Sequence, residues 1–265
     1  MEKLNLISLK DIKINDGFWN RYLNLVPKEV IPYQWAILND QLQDVETSHS
    51  IRNFRIAAGL EEGEFYGAVF QDTDVAKWLE TVSYVLMRQK DSVWEERADE
   101  VIDLIGKAQW DDGYINTYYT IKEKGKRFTN LREGHELYTA GHLMEAATAY
   151  YEATGKDRFL HIMCRFADLI CDVFSEENRK DAYPGHQEIE LGLVKMYEKT
   201  GNRRYLEQAR LFLERRGQQP NFFEKEIKSP EYHLIFPELK EYDPRYSQCH
   251  LPMRMQKKAE GHAVR

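Results

Sequence analysis

A stretch of ten residues recurs in this chain 46 positions further on. Tyr151-Glu152-Ala153-Thr154-Gly155-Lys156-Asp157-Arg158-Phe159-Leu160 is answered by Tyr197-Glu198-Lys199-Thr200-Gly201-Asn202-Arg203-Arg204-Tyr205-Leu206. The shared frame is Tyr-Glu-x-Thr-Gly-x-x-Arg-aromatic-Leu. It spells a helix, a glycine C-cap, a very short turn and a returning helix. A helical hairpin of this kind cannot bury its apolar face alone and must stack on its neighbours. Open solenoids and closed (α/α) toroids both do this. The long irregular links between hairpins, Gly113 to Gly134 and Ser175 to Gly185, favour the toroid, where such links gather at one rim and build a site.

The hydrophobic period supports an all-α fold. Six segments from residue 72 to 217 repeat close to every 3.6 residues. The first runs from Asp72 to Lys90, with Asp72 expected as its N-cap. The others carry Val101 and Ile102, Leu143 and Tyr150, Ile162 and Phe166, Leu193 and Met196, and Ala209 and Phe212. Residues 1–25 alternate weakly and predict a strand or short extended arm leading into a helix. Helical pattern from Pro32 to Gly59 breaks near Asn39-Asp40. About three hairpins are complete by Gly217, and a six-hairpin ring needs roughly as many residues again. The expectation is one partial (α/α)6-barrel domain over residues 1–265, about half a toroid, truncated at its C-terminal end.

Composition narrows the partners. The chain is 42% hydrophobic and 31% charged, as expected of a soluble globular protein. A formal charge of -7 gives no reason to expect nucleic acid or an anionic membrane. No signal peptide or apolar span is visible, and the few cysteines, Cys164, Cys171 and Cys249, suit a reduced cytoplasmic protein. Cys164 and Cys171 are expected to be reduced, mostly buried and metal-free. The 16 Tyr and 5 Trp serve either as packing or as platforms for sugar rings.

Chemistry-bearing residues collect at glycines. His135 follows Gly134, His186 follows Gly185, and His262 follows Gly261; each is expected to open a helix at one rim. His142 follows Gly141, but His135 and His142 stand seven apart, about 10.5 Å along a helix, which rejects a zinc-protease pair. A neutral imidazole donates from one nitrogen and accepts at the other, which suits sugar hydroxyls. Carboxylates available for glycosidase chemistry are Asp72, Asp74, Asp111, Asp112, Glu136, Glu188 and Glu190, each with a plain alternative as cap, turn or first-turn acid. No nucleophile-elbow, P-loop or dinucleotide motif occurs.

Together these motifs resemble glycoside hydrolase family 127, the β-L-arabinofuranosidases, six-hairpin glycosidases of carbohydrate metabolism. The carrying residues are Asn53 to Gly59, Asp72 to Glu80, Asp112 to Tyr118, Gly134 to Tyr138 with Gly141-His142-Leu143, Pro184 to Glu190, Tyr246-Ser247-Gln248, and Gly261 to Arg265. The resemblance implies retaining hydrolysis of terminal arabinofuranosides by a zinc-bound cysteine thiolate and a glutamate acid/base. It implies sugar contacts at Gln34, His135, His186 and His262. The acid/base, zinc ligands and nucleophile of the family lie beyond the Gly-His-Ala-Val-Arg motif on which this chain stops. The expectation is therefore a truncated glycosidase with no catalytic residue or metal of its own, a small pentofuranoside as partner, and self-association through the open half-barrel face. A sugar-binding remnant and a helical-repeat scaffold for protein partners remain open beside it.

Overall fold

The computed structural model describes residues 7–233 and residue 235. The described residues contain α-helices and no strand. The helices are α1 (Gly17–Leu25), α2 (Ile31–Leu38), α3 (Ser50–Ala57), α4 (Asp72–Arg88), α5 (Ser92–Ala108), α6 (Thr117–Ile121), α7 (Glu136–Thr154), α8 (Arg158–Val173), α9 (Glu176–Arg179), α10 (Ile189–Thr200), α11 (Arg203–Arg215) and α12 (Phe222–Glu226). The hairpins are α4–α5, α7–α8 and α10–α11. Helix α7 lies between α4 and α10, while α8 and α11 back α7 and α10 and touch one another. None of these helices is long and apolar enough to cross a membrane.

Burial separates the two layers. Helix α7 is enclosed over most of its length, from Leu137 to Tyr150. Helix α8 is amphipathic: Phe159, Met163, Phe166 and Ile170 are buried, and Arg158, His161, Arg165 and Asp172 face water. Each such buried side chain stabilises the fold by about 1.5–3 kcal/mol, so the pattern itself drives the stacking. The recurring frame makes the same bonds twice. Thr154 and Thr200 donate their hydroxyls to the carbonyls of Tyr150 and Met196, at 2.8 and 2.7 Å. Gly155 and Gly201 close the helices at φ 78° and 73°, in the left-handed region where a Cβ is penalised. Glu152 and Lys199 then tie one copy to the next, at 2.8 Å.

Among the described residues the N-terminal segment is an arm without a strand. It has one 3-10 turn, Leu9–Asp11, and docks where the Ser8 hydroxyl donates to Glu152 at 3.1 Å. Helices α1 and α2 join through a π-helical turn, Val26–Val30. Pro27 and Pro32 lack the N–H groups a regular helix needs there, which accounts for the widened turn.

Asp72 corrects its expected role. It does not cap α4; Gln71 holds the cap position with no capping bond. Its carboxylate is buried and accepts from Thr117 N at 2.8 Å and Thr117 Oγ1 at 2.5 Å. It pins the start of α6 to the start of α4, across 45 residues. Cys171 is buried as expected, whereas Cys164 is only half-buried, and both are free thiols. Cys249 lies outside the described residues.

Candidate functional site

The two long links meet. Gly185 N donates to the Leu131 carbonyl at 2.9 Å. A Cβ on Gly185 would stand 2.3 Å from the Arg132 carbonyl oxygen, so only glycine lets the second link lie this close to the first. Glu226 of α12 fixes the first link by accepting from Leu131 N and Arg132 N at 2.6 and 3.1 Å. Arg216 fixes the second, donating to the Pro184 carbonyl at 2.8 Å and to Glu190 at 3.2 Å.

This junction brings His135 and His186 together across 51 residues of sequence, with ring centroids 6.1 Å apart and planes tilted by 47°. His135 opens α7 as expected, in a left-handed conformation at φ 52°. His186 departs from expectation: it does not begin a helix but sits in the turn before Ile189, where α10 starts. Its glycine serves close approach rather than a helix start. Gln34 is exposed on α2. His262 lies outside the described residues.

Burial lowers the pKa of both rings, so each is neutral at pH 7. His135 Nδ1 lies 2.5 Å from the Glu133 carbonyl. A carbonyl can only accept, so Nδ1 carries the proton and Nε2 is left as an acceptor. His186 Nδ1 is 3.4 Å from the Gln187 carbonyl, which favours the same tautomer. The pocket between Leu131, His135, Tyr138, Pro184 and His186 holds only about 10 Å³, room for a single water. This pocket is too small to enclose a molecule larger than water.

Tyr138, part of the Gly134 to Tyr138 motif but given no role by the sequence, is the centre of the group. Its ring lies 4.4 Å from His186, 4.5 Å from His142 and 5.5 Å from His135, and Lys77 Nζ donates to its hydroxyl at 3.3 Å. Phe70 also packs on His135, with ring centroids 5.1 Å apart. The i, i+3 spacing of His135 and Tyr138 was the available signal.

The carboxylates divide by environment. Asp112 sits in the turn at Gly113, paired with Arg127 at 2.7 Å. Glu190 accepts from Glu188 N and Arg216. Glu136 is fully enclosed, accepting from the Tyr114 hydroxyl and from Phe128 N at 2.7 Å; burial pushes its pKa up to about 8. Burial and then Glu145 push Glu188 up to about 8. Glu145 is held below the usual range: burial opposes this, but Glu188 and Lys195 prevail. Burial also takes His142 down to about 4.

Comparison with known proteins agrees across the chain. The family model described as "Beta-L-arabinofuranosidase, GH127 catalytic domain" matches residues 11–265. A "Non-reducing end beta-L-arabinofuranosidase" of Bifidobacterium longum subsp. longum is 39% identical over 96% of this chain and 41% of its own length. The crystal structure of a GH127 β-L-arabinofuranosidase from Geobacillus stearothermophilus T6 superposes with a TM-score of 0.85. It is 56% identical over 93% of this chain and 39% of that one. A GH127 β-arabinofuranosidase structure at 33% identity gives a TM-score of 0.69, covering 79% of this chain and 33% of that one. The chain thus spans about two fifths of the length of these relatives.

Proposed function

Because the chain belongs to the GH127 β-L-arabinofuranosidase catalytic-domain family, we propose that it supplies the sugar-gripping part of such a glycosidase and does not turn over by itself. The observation that carries this is the neighbouring pair of neutral histidines, His135 and His186, at the junction of the two links. Each offers an unprotonated nitrogen to a hydroxyl, and Tyr138 fixes their separation. Gln34 and His262 are proposed as further hydroxyl contacts, on the resemblance alone.

The zinc–thiolate centre implied by the family does not fit the described cysteines. Cys164 and Cys171 both belong to α8, the outer layer of the wall, away from the histidine pair. Burial pushes the Cys171 thiol up to about 12 and raises Cys164 as well, so neither is a thiolate at neutral pH. No catalytic step is assigned to them. Groups that only hold hydroxyls bind ground and transition states alike and leave kcat unchanged.

The test has two arms. Methyl β-L-arabinofuranoside titrated into the purified chain should show weak saturable binding. His135→Ala or His186→Ala should weaken it by about 5–10-fold, as expected for one lost hydrogen bond. On p-nitrophenyl β-L-arabinofuranoside the chain should show no turnover. Activity that co-purifies with the chain and disappears in Asp112→Asn or Glu188→Gln would sink the proposal.

A further inference from the structure

A second group of donors adjoins the histidine pair, with Tyr138 touching both His142 and His186. His142 Nδ1, a carboxylate oxygen of Glu145 and one of Glu188 all lie within 4.8 Å of one another. His142 Nδ1 is 3.1 Å from Glu188 Oε1 and 3.8 Å from Glu145 Oε2. Bonds of about 2.0–2.2 Å to a single zinc ion would place its donors roughly 3–3.5 Å apart; the first separation falls in that range and the second lies a few tenths of an ångström above it. The side chains of the trio are only 10–14% exposed.

The hydrogen bonding points to a missing occupant. Both ring nitrogens of His142 and Oε1 of Glu188 are buried without a hydrogen-bond partner, despite the 3.1 Å approach of Nδ1 to Oε1. Two groups this close, not aligned on each other, are arranged as neighbouring ligands are. Folded proteins rarely leave such atoms unmet. Glu145 shows a division of labour: Oε1 pairs with Lys195 of α10, while Oε2 is the oxygen turned towards His142. Lysine in that position orients the carboxylate from outside, as outer partners of metal ligands do. The other nearby cation, Lys77, is engaged with the Tyr138 hydroxyl. His142 and Glu145 stand at i, i+3 on α7, a spacing that sets two ligands on one helical face, and Glu188 comes from the turn before α10.

We propose that His142 Nδ1, Glu145 Oε2 and Glu188 Oε1 form a three-donor site for a first-row divalent cation, zinc foremost, with water completing the coordination. One nitrogen and two oxygens suit such ions and exclude the soft, all-sulfur sites. The site is separate from the thiolate zinc implied by the family. It clamps α7 to the link that carries His186.

The test uses the full chain after dialysis against chelator. Zinc chloride titrated calorimetrically should bind at one site per chain. Glu188→Gln, which preserves volume, and His142→Ala should each weaken binding by at least about tenfold. His161→Ala, an exposed histidine on α8, should not. Cobalt(II) bound in place of zinc should give a ligand-field spectrum without a thiolate charge-transfer band. Circular dichroism checks that each variant is folded; Glu188→Gln alone decides the matter if His142→Ala does not fold. Undiminished affinity in a folded Glu188→Gln, no binding by the folded parent chain, or a thiolate band would overturn the site.

Discussion

Glu136 stands next to His135 in sequence, yet it does its work in the interior. The Tyr114 hydroxyl and the Phe128 N–H enclose its carboxyl group, and its pKa of about 8 keeps it protonated at pH 7 when folded. In the unfolded chain the group ionises near its ordinary value of 4.5. The stability it contributes is therefore complete below about pH 4.5 and is lost as pH rises through about 8, where the fold must hold a buried anion. Glu136→Gln fixes the neutral form. Thermal melts between about pH 5 and 9 should show the parent losing stability relative to this variant as pH rises; parallel curves would contradict the assignment. At this scale the recurring Gly-His picked out His135 and His186, which the fold brings together, while His262 lies outside the described residues. No role was legible in the sequence for Tyr138, Lys77, Glu145 and Lys195. Their roles come from contacts between α4, α7 and α10, and no local pattern records them. Asp72 misled for the same reason: a carboxylate at a helix start looks like a cap until Thr117, far along the chain, is seen to claim it.

Among elements, the contact of α7 with α10 is set by two glycines. A Cβ on Gly141 would stand 2.8 Å from Glu188 Cγ and 2.9 Å from the Ile189 backbone nitrogen, and one on Gly192 would stand 2.9 Å from the Gly141 carbonyl. The helices approach with almost nothing between them, and that approach carries Glu188 to His142. Gly141→Ala should overpack the contact and destabilise the chain by about 1–3 kcal/mol. Urea unfolding should show a lower midpoint at an unchanged m-value, and an undisturbed midpoint would show that the helices part easily. The hairpins were legible from their 3.6-residue period and the two glycine caps, with ends within a few residues of those observed. The short helices α6, α9 and α12 were not, being too brief for periodicity and held by packing. Gly141 was noticed only as a neighbour of His142; its tertiary reason needed α10 in place.

For the whole molecule, the sequence implied a large apolar face on the open side of the half-barrel. The described residues distribute it otherwise. Lys77, Glu80, Tyr138, His142, Glu145 and Lys195 give the shared side of α4, α7 and α10 a polar character, and the large exposed apolar side chains concentrate in the arm and α1. Ile7, Leu9, Ile12, Ile14, Phe18 and Trp19 are each 45–74% exposed. Self-association should therefore run through the arm. Sedimentation velocity on the double variant Phe18→Ser, Trp19→Ser should shift the chain towards monomer, and an unchanged distribution would return attention to the barrel wall. The stapling of the two links has a further bearing on anyone redesigning the proposed sugar site. Leu131, Gly185, Glu226 and Arg216 bind the links to one another and to α12 and the end of α11, so neither can be lengthened or exchanged alone. Residues 128–136, 182–190 and 215–226 are tied into one unit, and a graft that moves fewer of them should lose the imidazole spacing.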